Sequence, residues 1–75
     1  MKTFAITNDR LAYDGYIYSY CKAESEKALL REWINDNADF RGCKIIKAPK
    51  NVILKYGAKY CFEHSGVYYY CYECE

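Results

Sequence analysis

In Tyr16-Ile17-Tyr18-Ser19-Tyr20-Cys21-Lys22 every second residue is a tyrosine, and Val67-Tyr68-Tyr69-Tyr70-Cys71-Tyr72-Glu73 repeats the pattern near the other end of the chain. A side-chain period of two is the signature of an extended strand, because successive Cβ atoms point to opposite faces. Tyr16, Tyr18 and Tyr20 then share one face and Ile17, Ser19 and Cys21 the other. In the second segment Tyr68, Tyr70 and Tyr72 oppose Val67, Tyr69 and Cys71. Aromatic and β-branched content supports both strands.

Between these strands the period changes. Leu29, Leu30, Trp33, Ile34 and Asn37 fall within about 140° of one another at 100° per residue, which predicts a helix with one apolar face. Ser25 is its expected N-cap and Glu26 suits the positive end of its dipole. The helix should end near Asn37, with Gly42 closing off the segment. At the N-terminus Lys2–Asn8 alternates as a strand, Phe4 and Ile6 opposing Thr3, Ala5 and Thr7. Asn8-Asp9-Arg10 and Asp14-Gly15 carry turn chemistry. Lys44–Lys47 reads as a short strand. Pro49–Gly57 reads as a two-turn helix, with Pro49 at its first position and Gly57 just past its end, although Val52-Ile53 also suits a strand. Lys59–Glu63 and Val67–Glu73 form a hairpin about His64-Ser65-Gly66. The expected architecture is α+β in the order β-β-α-(β or α)-β-β. A small antiparallel sheet of about four strands packs on one amphipathic helix, as a single domain over residues 1–75.

Seventy-five residues support one core and no more. Its candidates are Phe4, Ile6, Leu11, Ile17, Leu29, Leu30, Trp33, Ile34, Phe40, Ile45, Ile46, Val52, Ile53, Leu54, Phe62 and Val67. No window approaches the roughly 18–20 apolar residues a bilayer span requires, and Met1–Arg10 holds no apolar h-region. Five cysteines are an odd number for a disulfide framework, so the expectation is reduced thiols in a cytoplasmic protein. The net charge of +1 conceals an asymmetry. Arg41, Lys44, Lys47, Lys50, Lys55 and Lys59 face no acid within residues 41–59, whereas both flanking regions are net acidic.

Ten residues are tyrosines. One helix covers one sheet face, and the apolar face is the natural choice, which leaves the tyrosine face partly open. Tyrosine brings large contact area, a phenol donor and acceptor and few rotors. Tyr16, Tyr18, Tyr20, Tyr68, Tyr70 and Tyr72 are therefore the candidate partner-binding residues. The competing reading is ordinary cross-strand packing.

Cys61, His64, Cys71 and Cys74 have the spacing C-x2-H-x6-C-x2-C, which a structural zinc site could use. A continuous last strand, however, points Cys71 and Cys74 to opposite faces. No metal and no cofactor are expected. The basic 41–59 segment could contact phosphates while tyrosines stack on bases, but near-neutral charge and the lack of a nucleic-acid-binding motif argue against it. A zinc-stabilised or nucleic-acid-binding regulator is thus the alternative function. Glu32, Asp36 and Asp39 form an acidic set at the negative end of the helix dipole, either a docking site for a basic partner or solvated surface. Catalysis finds no support. His64 sits in a turn with nothing to orient it, and no glycine loop cradles phosphate.

Gly15-Tyr-Ile-Tyr-Ser-Tyr-Cys-Lys-Ala-Glu-Ser-Glu-Lys-Ala-Leu-Leu-Arg-Glu-Trp-Ile-Asn-Asp36 runs from a strand into an amphipathic helix. With the Tyr/Cys-rich final hairpin, it resembles the small proteins encoded by bacteriophages and mobile elements, some of which are anti-CRISPR or other anti-defence inhibitors. The resemblance lies in architecture and assigns no residue a role. It implies a non-enzymatic inhibitor that occupies a surface of a bacterial nuclease complex, so that the partner is a larger protein or protein–nucleic-acid assembly of a host cytoplasm. The near-neutral charge separates the chain from the strongly acidic DNA mimics of that group.

Overall fold

A computed structural model describes residues 1–10, 17–51 and 57–74. Five strands form one antiparallel sheet in the order β2-β1-β5-β4-β3. They are β1 (Lys2–Asn8), β2 (Ser19–Ala23), β3 (Ile46–Lys47), β4 (Tyr60–His64) and β5 (Val67–Cys74). Helix α1 (Glu26–Asp36) packs on one face and a 3₁₀ turn at Ala38–Phe40 follows it. The α+β class expected from the pattern is the class observed. β3 is the fifth strand, two residues long and antiparallel to β4. The helix expected over 49–57 falls largely outside the described residues, although Lys50 and Asn51 take helical backbone.

Local chemistry sets the element ends. The Ser25 hydroxyl accepts from the Ala28 N–H at 3.2 Å, capping α1. Asn37, in extended backbone, ends the helix. Ser65 and Gly66 both have positive φ, 53° and 78°, so β4 and β5 are joined by a two-residue turn with the twist that antiparallel strands favour. β4 consequently runs to His64, one residue beyond expectation, and His64 pairs with Val67.

The face of the sheet under α1 carries Phe4 and Ile6 from β1, Ala23 from β2, Phe62 from β4 and Cys71 from β5. They bury Leu29, Leu30 and Ile34 of the helix. Full burial of one such leucine or phenylalanine is worth about 1.5–3 kcal/mol. The Glu26 carboxylate, at the first helical position, ties this layer together. It accepts from the Lys59 N–H at 3.0 and 3.1 Å and from the Tyr60 N–H at 3.1 Å, pinning the start of β4 to the positive end of α1.

The opposite face is open only in part, and its centre is a second core. Phe4 through Asn8 are all buried in β1, so both faces of that strand are covered. Tyr70 and Cys61 form a second core cluster with Ala48 and Ala58, and Tyr68 and Tyr72 pack against it. Ala48 and Ala58 flank β3 and β4, and the Ala48 N–H donates to the Lys59 carbonyl at 3.0 Å. Ile46, expected in the core, is instead 46% exposed on the outermost strand. Among the described residues no helix is long and apolar enough to cross a membrane.

Candidate functional site

The two faces divide the six candidate tyrosines. Tyr70 has no exposure at all; it is a core residue and its assignment to a docking surface is corrected. Tyr68 and Tyr72 are half-buried around it. Tyr20 is 63% exposed. It sits in one cross-strand row with Ala5 and Tyr72, which is the part of the tyrosine face that remains accessible. Tyr16 lies outside the described residues.

Tyr18 leaves the face altogether. Regular pairing of β2 begins only at Ser19, and Tyr18 occupies a bend held by its N–H to the Ile6 carbonyl at 2.8 Å. Alternation therefore fails at this residue. Its ring swings to the helix side, 6.1 Å from Trp33, and its hydroxyl accepts from the Asn8 amide at 2.9 Å.

There Tyr18 joins an aromatic cluster drawn from four parts of the chain. The Trp33 ring makes edge contacts with Phe40 at 5.9 Å, Phe62 at 5.3 Å and Tyr69 at 5.6 Å. Phe62 and Tyr69 are direct partners across β4 and β5, and their rings stack 5.3 Å apart at 9°. Such pairs add about 0.5–1.5 kcal/mol each beyond area burial. Phe62 is fully buried, whereas Trp33, Phe40 and Tyr69 are only partly so. Their uncovered parts, with Tyr18 at 54% exposure, line an open groove of about 320 Å³ completed by Ile6, Ser19 and Asn37. The Asn37 amide donates to the Trp33 carbonyl at 3.1 Å, so the helix end that carries the indole is held in place. Burial raises the Tyr69 hydroxyl pKa, with the nearby Tyr18 adding to the effect. The groove is a mainly apolar slot lined by four aromatic side chains, two of them tyrosines, the composition that ligand-binding clefts commonly have.

Sequence periodicity had assigned Trp33 and Phe40 to the core and Tyr69 to the apolar face, so only Tyr18 was anticipated in a site. One signal was available. Asn37 lies within the apolar arc of α1, and a polar residue there marks where the arc runs out of core to cover.

The cysteine and histidine spacing does not converge. Cys61 belongs to the Tyr70 cluster and Cys71 to the cluster under α1, on opposite faces of the sheet. His64 packs against Phe40 at 5.3 Å. The Cys74 thiol is directed to the Tyr72 carbonyl at 3.8 Å. Burial pushes the Cys61 thiol up to about 11, with Glu63, Asp9 and Glu26 contributing. Burial likewise pushes Cys71 up to about 12, with Glu26 and Cys21 contributing. Both thiols are protonated near neutral pH, the reverse of what a nucleophile or thiolate ligand needs. The described lysines of the basic segment, Lys44, Lys47, Lys50 and Lys59, are exposed.

A second cavity of about 380 Å³ lies beside the Glu26 clamp, with Lys2, Lys27, Lys59, Glu24 and Glu73 around it. Its charges are mixed, and Lys2 and Glu73 pair at 3.3 Å on the exposed surface. Comparison with protein-family models, curated proteins and solved structures finds no match to this chain.

Proposed function

We propose that this protein is a non-enzymatic binding module that docks on a larger protein through the Tyr18–Trp33–Phe40–Tyr69 groove. The observation that carries the reading is the open aromatic slot itself. A partly buried tryptophan beside an exposed tyrosine and two further partly buried rings makes a contiguous aromatic surface, and such surfaces tend to mark contact sites. Tryptophan and tyrosine are also the residues that most often dominate binding energy at interfaces. The high thiol pKa values of Cys61 and Cys71 support a role without nucleophilic chemistry at those two residues. The resemblance of residues 15–36 to phage-type proteins makes the proposal more specific: an inhibitor that occupies a surface of a bacterial defence nuclease complex, working in the reducing cytoplasm of the host.

The test compares wild-type protein with two variants, as bait in bacterial lysate and in cells whose CRISPR nuclease restricts an infecting phage. Tyr18→Ala removes an exposed groove ring and should cost about 2 kcal/mol or more of binding, abolishing both capture of nuclease-complex subunits and rescue of plaquing. Lys47→Ala with Lys50→Ala should leave both intact. If the lysine pair is essential and Tyr18 dispensable, the groove is not the docking site and the nucleic-acid alternative gains. If wild type neither captures a nuclease subunit nor restores plaquing, the inhibitor reading fails.

A further inference from the structure

The surroundings of the groove carry a charge pattern that its apolar floor does not explain. A second depression, sharing Ile6, Trp33 and Asn37 with the groove, continues along α1 and is bordered by Glu32 and Asp36. Asp39 precedes Phe40 on the 3₁₀ turn that follows α1. All three carboxylates are exposed, and none forms an ion pair among the described residues, where the only such pair is Lys2–Glu73. They stand at the C-terminal end of α1, whose last turn holds no basic residue. Two terms there are unfavourable: repulsion between Glu32 and Asp36 at i, i+4, and the approach of negative charge to the negative end of the helix dipole. Among the described residues, Lys22 is the one cation bordering the second depression. Near the Tyr69 hydroxyl, Arg10 and Asp9 act with opposite signs. With Arg41 adjoining Phe40 on its other side, the described charges about the rings are four carboxylates, Asp9, Glu32, Asp36 and Asp39, against three cations, Arg10, Lys22 and Arg41.

Resting on the docking role proposed above, we infer that the occupant of the groove is a basic segment of the partner protein, with an arginine side chain laid against the Trp33, Tyr18 and Tyr69 rings and flanking cations facing Glu32, Asp36 and Asp39. A guanidinium suits both halves of the surface. It stacks on the negative face of an aromatic ring, best of all on tryptophan, and its planar fork bonds to carboxylates. An apolar or proline-rich segment would use the rings and leave the three carboxylates uncompensated. The protein already forms a cation–π contact elsewhere, Lys27 lying 4.7 Å from the Tyr60 ring centroid. The arginine-bearing segment relieves the repulsion built into the end of α1, so charge complementarity selects it.

Trp33 is the single tryptophan of the chain, so its fluorescence reports occupancy directly. The probes are four synthetic peptides of equal length on a glycine/serine background. They carry two arginines, two citrullines, two glutamates, or a proline-rich sequence without charge. The arginine peptide should shift or quench Trp33 emission in a saturable way, with affinity falling as salt rises, and the citrulline and glutamate peptides should bind at least roughly tenfold more weakly. In the Glu32→Gln, Asp36→Asn, Asp39→Asn variant, arginine-peptide affinity should drop roughly tenfold while the melting temperature is kept. Equal binding of the citrulline peptide, preference for the proline-rich peptide, or unchanged affinity in the neutralised variant would each overturn the inference. Failure here is separable from failure of the docking role. If capture of the partner requires Tyr18 but survives neutralisation of the three carboxylates, the groove docks a partner whose chemistry is not basic. If capture is indifferent to both changes, the docking role itself falls.

Discussion

Tyr70 and Tyr20 point to the same side of the sheet, yet the structure gives them opposite roles. Tyr70 is fully buried against Cys61, Ala48 and Ala58, and Tyr20 is 63% exposed on the edge strand β2. Replacing a fully buried aromatic residue with alanine removes its transfer free energy and leaves a cavity, together about 3–5 kcal/mol. A domain of this length has a total stability of about 4–11 kcal/mol. At roughly 4–8 °C per kcal/mol for a small domain, Tyr70→Ala should lower the melting temperature by about 12–40 °C and can leave a substantial fraction unfolded at 25 °C. Tyr20→Ala loses at most cross-strand contact with Ala5, about 0.2–1 kcal/mol, and so a few degrees. Thermal and urea unfolding of the three proteins, followed by circular dichroism, measures the difference. If the two variants melt together, or if Tyr20→Ala is the less stable, then the second sheet face is not a core and the burial argument is wrong.

Burial is the largest influence on Glu26 and raises its pKa above the ordinary 4.5, although the Lys59 and Tyr60 amides and the Lys59 charge pull it down. A raised acid pKa means that folding favours the protonated form. The stability linked to this shift is therefore fully present below pH 4.5 and is lost as pH rises through the folded pKa. Glu26→Gln has no such dependence, so the stability difference between wild type and variant should move in the variant's favour from about pH 4 upward; movement the other way would mean that the amide bonds outweigh burial. For the thiols, Cys61 and Cys71 are buried and Cys21, Cys43 and Cys74 partly accessible. A disulfide-exchange reagent at pH 8 should titrate the latter three in the native protein and all five cysteines in guanidinium. Rapid native labelling of Cys71 would contradict its place under α1.

Elements whose information is local were legible before any coordinates. β1 has the bounds its alternation predicts, α1 starts at its Ser25 cap, and the final hairpin turns where Ser65-Gly66 permits positive φ. Each is set by residues within a few positions of one another, through side-chain period, capping and backbone sterics. The antiparallel α+β class follows from the same signals, since they leave one helix and several short strands to bury a single core.

Tertiary structure decided what those signals cannot carry. Periodicity states which residues share a face but not what packs on it, so the clustering of Tyr70 with Cys61, Ala48 and Ala58 was invisible and the exposure expected of that tyrosine was wrong. The bend at Tyr18 is equally non-local. Its backbone bonds to Ile6 and its ring rests near Trp33, two partners distant in sequence, and their combined pull overrides the alternation of the segment. The pairing of β1 with β5 brings the two ends of the chain together at the centre of the sheet, which places Tyr69 beside Asn8 and within reach of α1. The groove exists only because of that closure. A run of residues determines a strand or a helix through short-range sterics, but a site assembled from four distant segments is determined by how whole faces pack, and that information is spread over the entire chain.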